Sequence, residues 1–201
     1  MGLDSRPDRP QVRVSYGIPG GASQPSLPRR GPKLKGAPWR GPRRTSRRAK
    51  RALSCQVLNG LLADSMVLYE HYKKDDWLVR DPSDCGLPAL LDAHATEQRQ
   101  LIERIVERVQ MLGGVAAVPR QVAELTVISR PANGPEEVSA MLSRLVQAHE
   151  SIISRIQDAI TVTATNGDET TGALLRVMLC RHELQVWSVA DQLVDTTALS
   201  A

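Results

Sequence analysis

Apolar positions along this chain fall at steps of three and four, the spacing that gathers side chains on one face of an α-helix. From about Arg51, such a step links Leu53, Val57, Leu58, Leu61, Leu62, Met66, Leu68, Tyr69 and Tyr72. It predicts a first helix to about Val79, broken by Asp81-Pro82-Ser83-Asp84. A second helix starts near Leu87 or Pro88, since proline suits a first turn, and stops at Gly113-Gly114. Its apolar face carries Leu91, Leu101, Ile102, Ile105, Val109 and Leu112. A third opens at Asn133-Gly134-Pro135-Glu136-Glu137 and bears a stripe from Val138 to Ile160 that includes His149. After the turn Asn166-Gly167-Asp168, a fourth continues through Leu174, Leu175, Met178, Leu179, His182, Trp187, Ala190, Leu193 and Val194 to about Asp195.

The connection between the second and third helices contains "RQVAELTVI", a candidate short helix, as loops of this length in compact domains usually hold some structure. Strand signals are weak. The expected fold is all-α, a four-helix bundle with one long crossover connection carrying a short helix, and ferritin-like folds have that shape. It should span residues 51–197. Residues 1–50 are different. "GIPGGASQPSLPRRGPKLKGAPWRGPRRTSRR" is rich in Pro and Gly, has few apolar residues and has no period. It cannot bury enough apolar surface to offset its ordering entropy, so a disordered N-terminal arm is expected.

Charge sharpens that division. Residues 1–52 hold 14 Lys/Arg against 2 Asp/Glu, a net of +12, whereas 53–201 hold 12 against 20, a net of −8. A basic arm on an acidic body points to a polyanionic partner. The arm's cations are Arg29, Arg30, Lys33, Lys35, Arg40, Arg43, Arg44, Arg47, Arg48, Lys50 and Arg51. They can neutralise phosphates and release counterions without reading bases, which makes sequence-nonspecific DNA the expected partner. The three cysteines, Cys55, Cys85 and Cys180, are too few and too widely spaced for a disulfide framework or a zinc knuckle, and mostly buried reduced thiols are expected. No run of apolar residues is long enough to suggest a membrane span, and no apolar leader is seen, so the expected compartment is the cytoplasm.

Asp92, Glu103 and Glu107 lie within roughly 60° of one another around the second helix, opposite its apolar arc. They form either a solvated face or half of a metal site completed by another subunit; oxygen ligands suit hard cations, including iron. No Glu-x-x-His pair of the kind that builds a di-iron site within a bundle occurs. His149 and His182 fall on apolar stripes and read as satisfied core histidines. The pattern assigns no role to His71 or His94.

"LNGLLADSMVLYEHYKKDDW", "LLDAHATEQRQLIERIVERVQMLGG" and "HELQVWSVADQLVD" resemble the Dps proteins, the DNA-binding mini-ferritins of bacteria, over about residues 53–197. The resemblance implies a hollow homo-dodecamer that binds DNA, oxidises Fe(II) preferably with hydrogen peroxide, and stores ferric iron. It implies ferroxidase sites shared across two-fold interfaces. The matched positions are Asp92, with Glu103 and Glu107 on the same helix, and the histidines would come from the neighbour. Here the chain departs from the family. The usual His-Trp is Asp76-Trp77, and the second His, twelve residues on, is Pro88. The usual Gly and Phe between them are matched by Asp81 and Asp84. The remaining set is all-carboxylate: Asp76, Asp92, Glu103 and Glu107. Such a site would bind a cation with altered affinity and weakened or altered oxidation chemistry. Acidic residues near the turn before the family's last helix line iron-entry pores. Asp168 and Glu169 occupy that region, though Asp168 also suits a simple helix N-cap. Two rival readings stay open: a non-enzymatic nucleoid-binding shell, and a minor subunit of a mixed shell.

Overall fold

The computed structural model describes residues 43–79, 86–131 and 133–199, with side chains from 47 to 194. Five helices account for nearly all of these residues, and no strand occurs among them. They are α1 (Arg43–Leu78), α2 (Leu87–Met111), α3 (Pro119–Leu125), α4 (Val138–Asn166) and α5 (Glu169–Leu199). α1 packs on α2, and α4 on α5. The two pairs are joined through α1–α4 and α2–α5 contacts, which closes a four-helix bundle. α3, the short helix expected in the crossover, lies on α1.

α1 begins at Arg43, not near Arg51. The segment Arg43–Lys50, part of the arm by composition, therefore forms the first two turns of the helix. Its Arg, Lys and Ala residues are good helix formers, and no Gly or Pro follows Pro42 until Gly60. Lys50 ties these turns to the bundle: its Nζ donates to the Asn166 carbonyl at 3.0 Å. Arg29, Arg30, Lys33, Lys35 and Arg40 lie outside the described residues, as do Asp81, Asp84 and Cys85. So do the side chains of Arg43 and Arg44. α1 is also long and apolar enough, by length and composition, to cross a membrane. Its apolar face is instead used in the core, where Leu58, Leu61, Leu62, Val67, Leu68 and Tyr72 are fully buried.

α2 ends as its two glycines dictate. Gly113 adopts a left-handed φ of 78°, and Gly114 donates back to the Val109 carbonyl at 2.9 Å. A Cβ on Gly114 would lie 2.5 Å from Cys55 Sγ, so a larger residue there would force the Cys55 side chain to move. α5 departs from the expected stripe. Its buried face is Thr171, Leu175, Met178, His182, Gln185 and Val189, whereas Trp187, Leu184 and Val194 are exposed. Residue type puts Trp187 and Val194 in the core; helix phase puts them outside. Cys55 is half-buried and Cys180 exposed, and both are free thiols, so neither is a fully buried core thiol.

The crossover is held by buried polar contacts, not by its own length. Asp64 on α1 is fully buried and accepts from Thr126 Oγ1 at 2.9 Å and the Val127 amide at 2.8 Å. Arg155 on α4 donates to Asp64 at 2.8 Å and to the Leu125 carbonyl at 2.9 Å. Asn59 clamps the start of the crossover, donating to the Val115 carbonyl and accepting from the Ala117 amide.

Candidate metal centre

The four candidate carboxylates fall into two groups within one chain. Asp76 and Asp92 face the same ammonium: Lys73 Nζ lies 2.8 Å from Asp76 Oδ2 and 3.0 Å from Asp92 Oδ1. Lys73 is one turn before Asp76 on α1, so helical spacing alone brings that pair together, while the α1–α2 packing brings Asp92 to them. The two carboxylates hold the Lys73 pKa well above its ordinary value. The cation that fills this corner is the protein's own.

Glu103 and Glu107 form the second group, one turn apart on the exposed face of α2. At 1.5 Å per residue, Glu103 lies about 16 Å along the axis from Asp92, and Glu107 about 22 Å. A shared angular face is therefore not a shared site, and Asp92 cannot share an ion with the two glutamates of its own helix. Among the described residues, no three His, Cys, Asp or Glu side chains converge to hold a metal. A site that uses both groups needs a second chain. Glu103 meets Arg99 at 3.3 Å, an exposed i,i+4 pair of the kind that contributes little. Pro88 sits in the first turn of α2, where its side chain offers no donor.

The histidines separate into one that is tied down and three that form a layer. His71 donates from Nε2 to the Ser129 carbonyl at 2.7 Å, and its Nδ1 accepts from Arg144 Nε at 2.9 Å. Both ring nitrogens are used, so His71 cannot replace a missing ligand. Burial also pushes its pKa down. Arg144 bonds Asp75 at 2.9 Å and pairs with Glu136. Asp75 is fully buried, and burial pushes its carboxyl up to about 6 despite Arg144 and Lys74.

The other three histidines form a chain in the core, two of them, His94 and His149, meeting Tyr72 and the third, His182, meeting His149. Tyr72 Oη is 2.6 Å from His149 Nε2 and 3.1 Å from His94 Nδ1; His149 Nδ1 is 3.0 Å from His182 Nδ1. His149 and His182 are fully buried, as the sequence pattern suggests, but His182 Nε2 has no hydrogen-bond partner among the described residues. His94 belongs to the same layer, which periodicity does not reveal. Burial lowers all three imidazole pKa values, that of His182 to about 4, and raises that of Tyr72 well above its usual range.

Asp168 is engaged at the start of α5. Its carboxylate accepts from the Thr171 amide at 3.2 Å and Thr171 Oγ1 at 2.6 Å, and pairs with Arg108 at 2.6 Å. Burial raises its pKa, but the hydrogen bonds from Thr171 and Arg108 more than offset this and keep the group ionised. It caps the helix, while Glu169 is exposed. At the same end of the bundle, Arg47, Arg48 and Arg51 line a cavity of about 740 Å³ with Cys55, Asn59 and Gly113-Gly114. Lys50 and Arg108 border an adjoining one. These cations are fixed on a helix, unlike an extended arm.

Comparison with known proteins gives a consistent match. The ferritin-like domain family matches residues 55–199. The solved structure of DpsC from Streptomyces coelicolor is 49% identical to the chain, with a TM-score of 0.70, covering 72% of this chain and 86% of that one. A "nutrient stress-induced DNA-binding protein" of Synechococcus is 28% identical over 68% of this chain and 78% of its own length. A "DNA protection during starvation protein 2" of Bacillus anthracis is 26% identical over 66% of this chain and 90% of its own.

Proposed function

The chain belongs to the Dps family of ferritin-like proteins, and from that premise we propose that it sequesters iron and protects DNA under oxidative or starvation stress, with weakened oxidation of Fe(II). The proposed form is a homo-dodecameric shell in the cytoplasm, associated with the nucleoid. Iron is its cargo. The observation that carries this reading is the exposed carboxylate face of α2, where Asp92, Glu103 and Glu107 point away from the monomer's own core. Such a face serves a ligand only if another chain brings the rest of the site. Asp76 and Asp92 from one chain, and Glu103 and Glu107 from its neighbour, would supply only oxygen donors. Four carboxylates without imidazole repel one another and favour a hard cation.

A second reading is a nucleoid-binding shell without enzymatic activity, and Lys73 favours it. An ammonium already bridging Asp76 and Asp92 must be displaced before an ion enters. Mixing metal-free protein anaerobically with Fe(II) and limiting hydrogen peroxide separates the two. Rapid oxidation yielding soluble, protein-bound ferric iron, lost in the Glu103→Gln/Glu107→Gln double variant, supports the first. A rate equal to the protein-free control supports the second. Light scattering that finds a monomer or dimer would overturn both shell readings. DNA retention rests on the basic residues of the first 51 positions. Those fixed on α1, namely Arg47, Arg48, Lys50 and Arg51, are exposed.

A further inference from the structure

Three arginines on neighbouring turns of α1 stand along one cleft with no carboxylate to answer them. Arg47, Arg48 and Arg51 line an open cleft of about 740 Å³ between α1 and the Gly113–Val115 segment that follows α2. None of the three has an ion-pair partner among the described residues. Cations elsewhere in the bundle are matched: Lys73 by Asp76 and Asp92, Arg108 by Asp168, Arg144 by Asp75 and Glu136, and Arg155 by Asp64. We propose that this cleft is a binding site for a small polyphosphate anion, held by the guanidinium groups of Arg47 and Arg51 with Arg48 beside them.

Arg47 and Arg51 are one turn apart on the same face of α1, about 6 Å along its axis. Each guanidinium is a planar fork that can take two oxygens of one phosphate. Two forks in line therefore suit linked phosphates better than a single carboxylate. Both arginines also border a second cleft of about 410 Å³, where Lys50 and Arg108 stand. There Asp168 answers Arg108, and Lys50 Nζ donates to the Asn166 carbonyl. The unanswered charge thus lies on the Arg47–Arg51 side. Residues 1–42 do not supply the balance, since they hold 8 Lys/Arg against 2 Asp, a net of 8 − 2 = +6. The missing anion comes from outside the chain.

The walls of the cleft decide which groups do the holding. The Asn59 amide is committed to the Val115 carbonyl and the Ala117 amide, and the amides of Gly113 and Gly114 are bound to the Gln110 and Val109 carbonyls. The phosphate donors are therefore the arginines of α1. Its volume lies within the range of small-molecule sites, and its concave shape suits a compact ligand. Ala52, Leu112 and Val115 give it an apolar wall, and the exposed Gln56 adds a free amide. A nucleoside triphosphate would lay its base against that wall, whereas an inorganic chain would use the arginines alone; the polyphosphate is common to both. A ligand here would cover cations that also serve DNA retention, and this consequence alone rests on the functional reading above.

Calorimetric titration of metal-free full-length protein with tripolyphosphate and with ATP tests the site. At about 0.15 M salt, screening beyond about 8 Å suppresses diffuse attraction to the other cations of the chain. The expected result is saturable binding at one site per chain, weakened about tenfold or more in Arg47→Gln/Arg51→Gln. Arg120→Gln/Arg130→Gln removes equal charge from exposed crossover positions and should change affinity less than about twofold. All four side chains are exposed, and circular dichroism confirms that both variants fold. Tighter binding of ATP than of tripolyphosphate assigns the site to a nucleotide, and equal affinity assigns it to the inorganic chain. Wild-type protein without saturable binding overturns the proposal, and so does an equal loss in the two variants. In gel shifts, tripolyphosphate should release DNA at concentrations that fill the cleft. Protein that binds the anion but retains no DNA would overturn the DNA-binding reading and leave this site standing.

Discussion

Lys73 Nζ lies 3.0 Å from Asp92 Oδ1, joining the last turns of α1 to the first turns of α2 by a charge-assisted hydrogen bond. The same ammonium holds Asp76, so one side chain neutralises half of the candidate carboxylate set. Replacing Lys73 with Met should leave Asp76 and Asp92 with uncompensated charge and raise their affinity for an oxygen-preferring cation. Mn(II) binding followed by electron paramagnetic resonance should tighten about tenfold, while Lys73→Arg should behave like wild type. Unchanged Mn(II) affinity in Lys73→Met would show that these carboxylates are not ligands.

Arg155 and Asp64 make a different kind of pair. Asp64 is fully buried, and the Arg155 guanidinium meets its charge at 2.8 Å. Arg155→Ala should cost about 3–5 kcal/mol in urea unfolding, because it strands a buried carboxylate. Hydrogen exchange should accelerate first at the Val127 amide, which donates to Asp64 at 2.8 Å. A loss below about 1 kcal/mol would mean that water replaces the guanidinium.

Acid should weaken the bundle through its histidine layer. His182 titrates at about 4 in the folded protein against an ordinary value of 6.5. A depressed pKa gives stability that is present above the unfolded value and lost as pH falls through the folded one. The window is therefore pH 6.5 down to 4, and the contribution is on the order of 3 kcal/mol. Asp75 works in the opposite sense. Its pKa is raised to about 6, so its contribution is lost as pH rises through that value. The thermal unfolding temperature of the wild type should fall steadily from pH 6.5 to 4, and His182→Leu should flatten the fall. An identical slope in the variant would assign the acid sensitivity elsewhere.

DNA retention should depend on two sets of cations in succession. Removing residues 1–42 takes away Arg29, Arg30, Lys33, Lys35 and Arg40, and should lower affinity and the salt slope in gel-shift titrations. Exchanging Arg47, Arg48 and Arg51 for Gln in the shortened chain should lower both again, by roughly one unit of slope for each phosphate no longer neutralised. Wild-type retention by the doubly altered protein would place the DNA-binding surface elsewhere.

Helix number, approximate helix ends and the crossover are legible in the chain because periodicity, glycine pairs and proline are local signals. Gly113-Gly114 stops α2 where its spacing requires. The start of α1 is not legible in the same way. Composition makes Arg43–Lys50 resemble the arm, whereas helix formation there depends on continuity with a packed helix and on the Lys50–Asn166 hydrogen bonds. Trp187 is apolar by type and suits a core, but the phase of α5 turns it outward.

Residue identity and spacing suffice for the all-helical class, the basic and acidic halves, the family resemblance, and the loss of imidazole at positions 76 and 88. No packing can alter these properties. Which side chains meet is a matter of tertiary structure. Asp92, Glu103 and Glu107 share an angle but are separated along the helix axis, while Lys73, Asp76 and Asp92 come together across two helices. Tyr72, His94, His149 and His182 lie far apart in sequence and form one layer because four helices bring them to the same height. A helical pattern fixes direction around one axis, whereas contact across a bundle depends on the relative height and rotation of helices, and packing sets both.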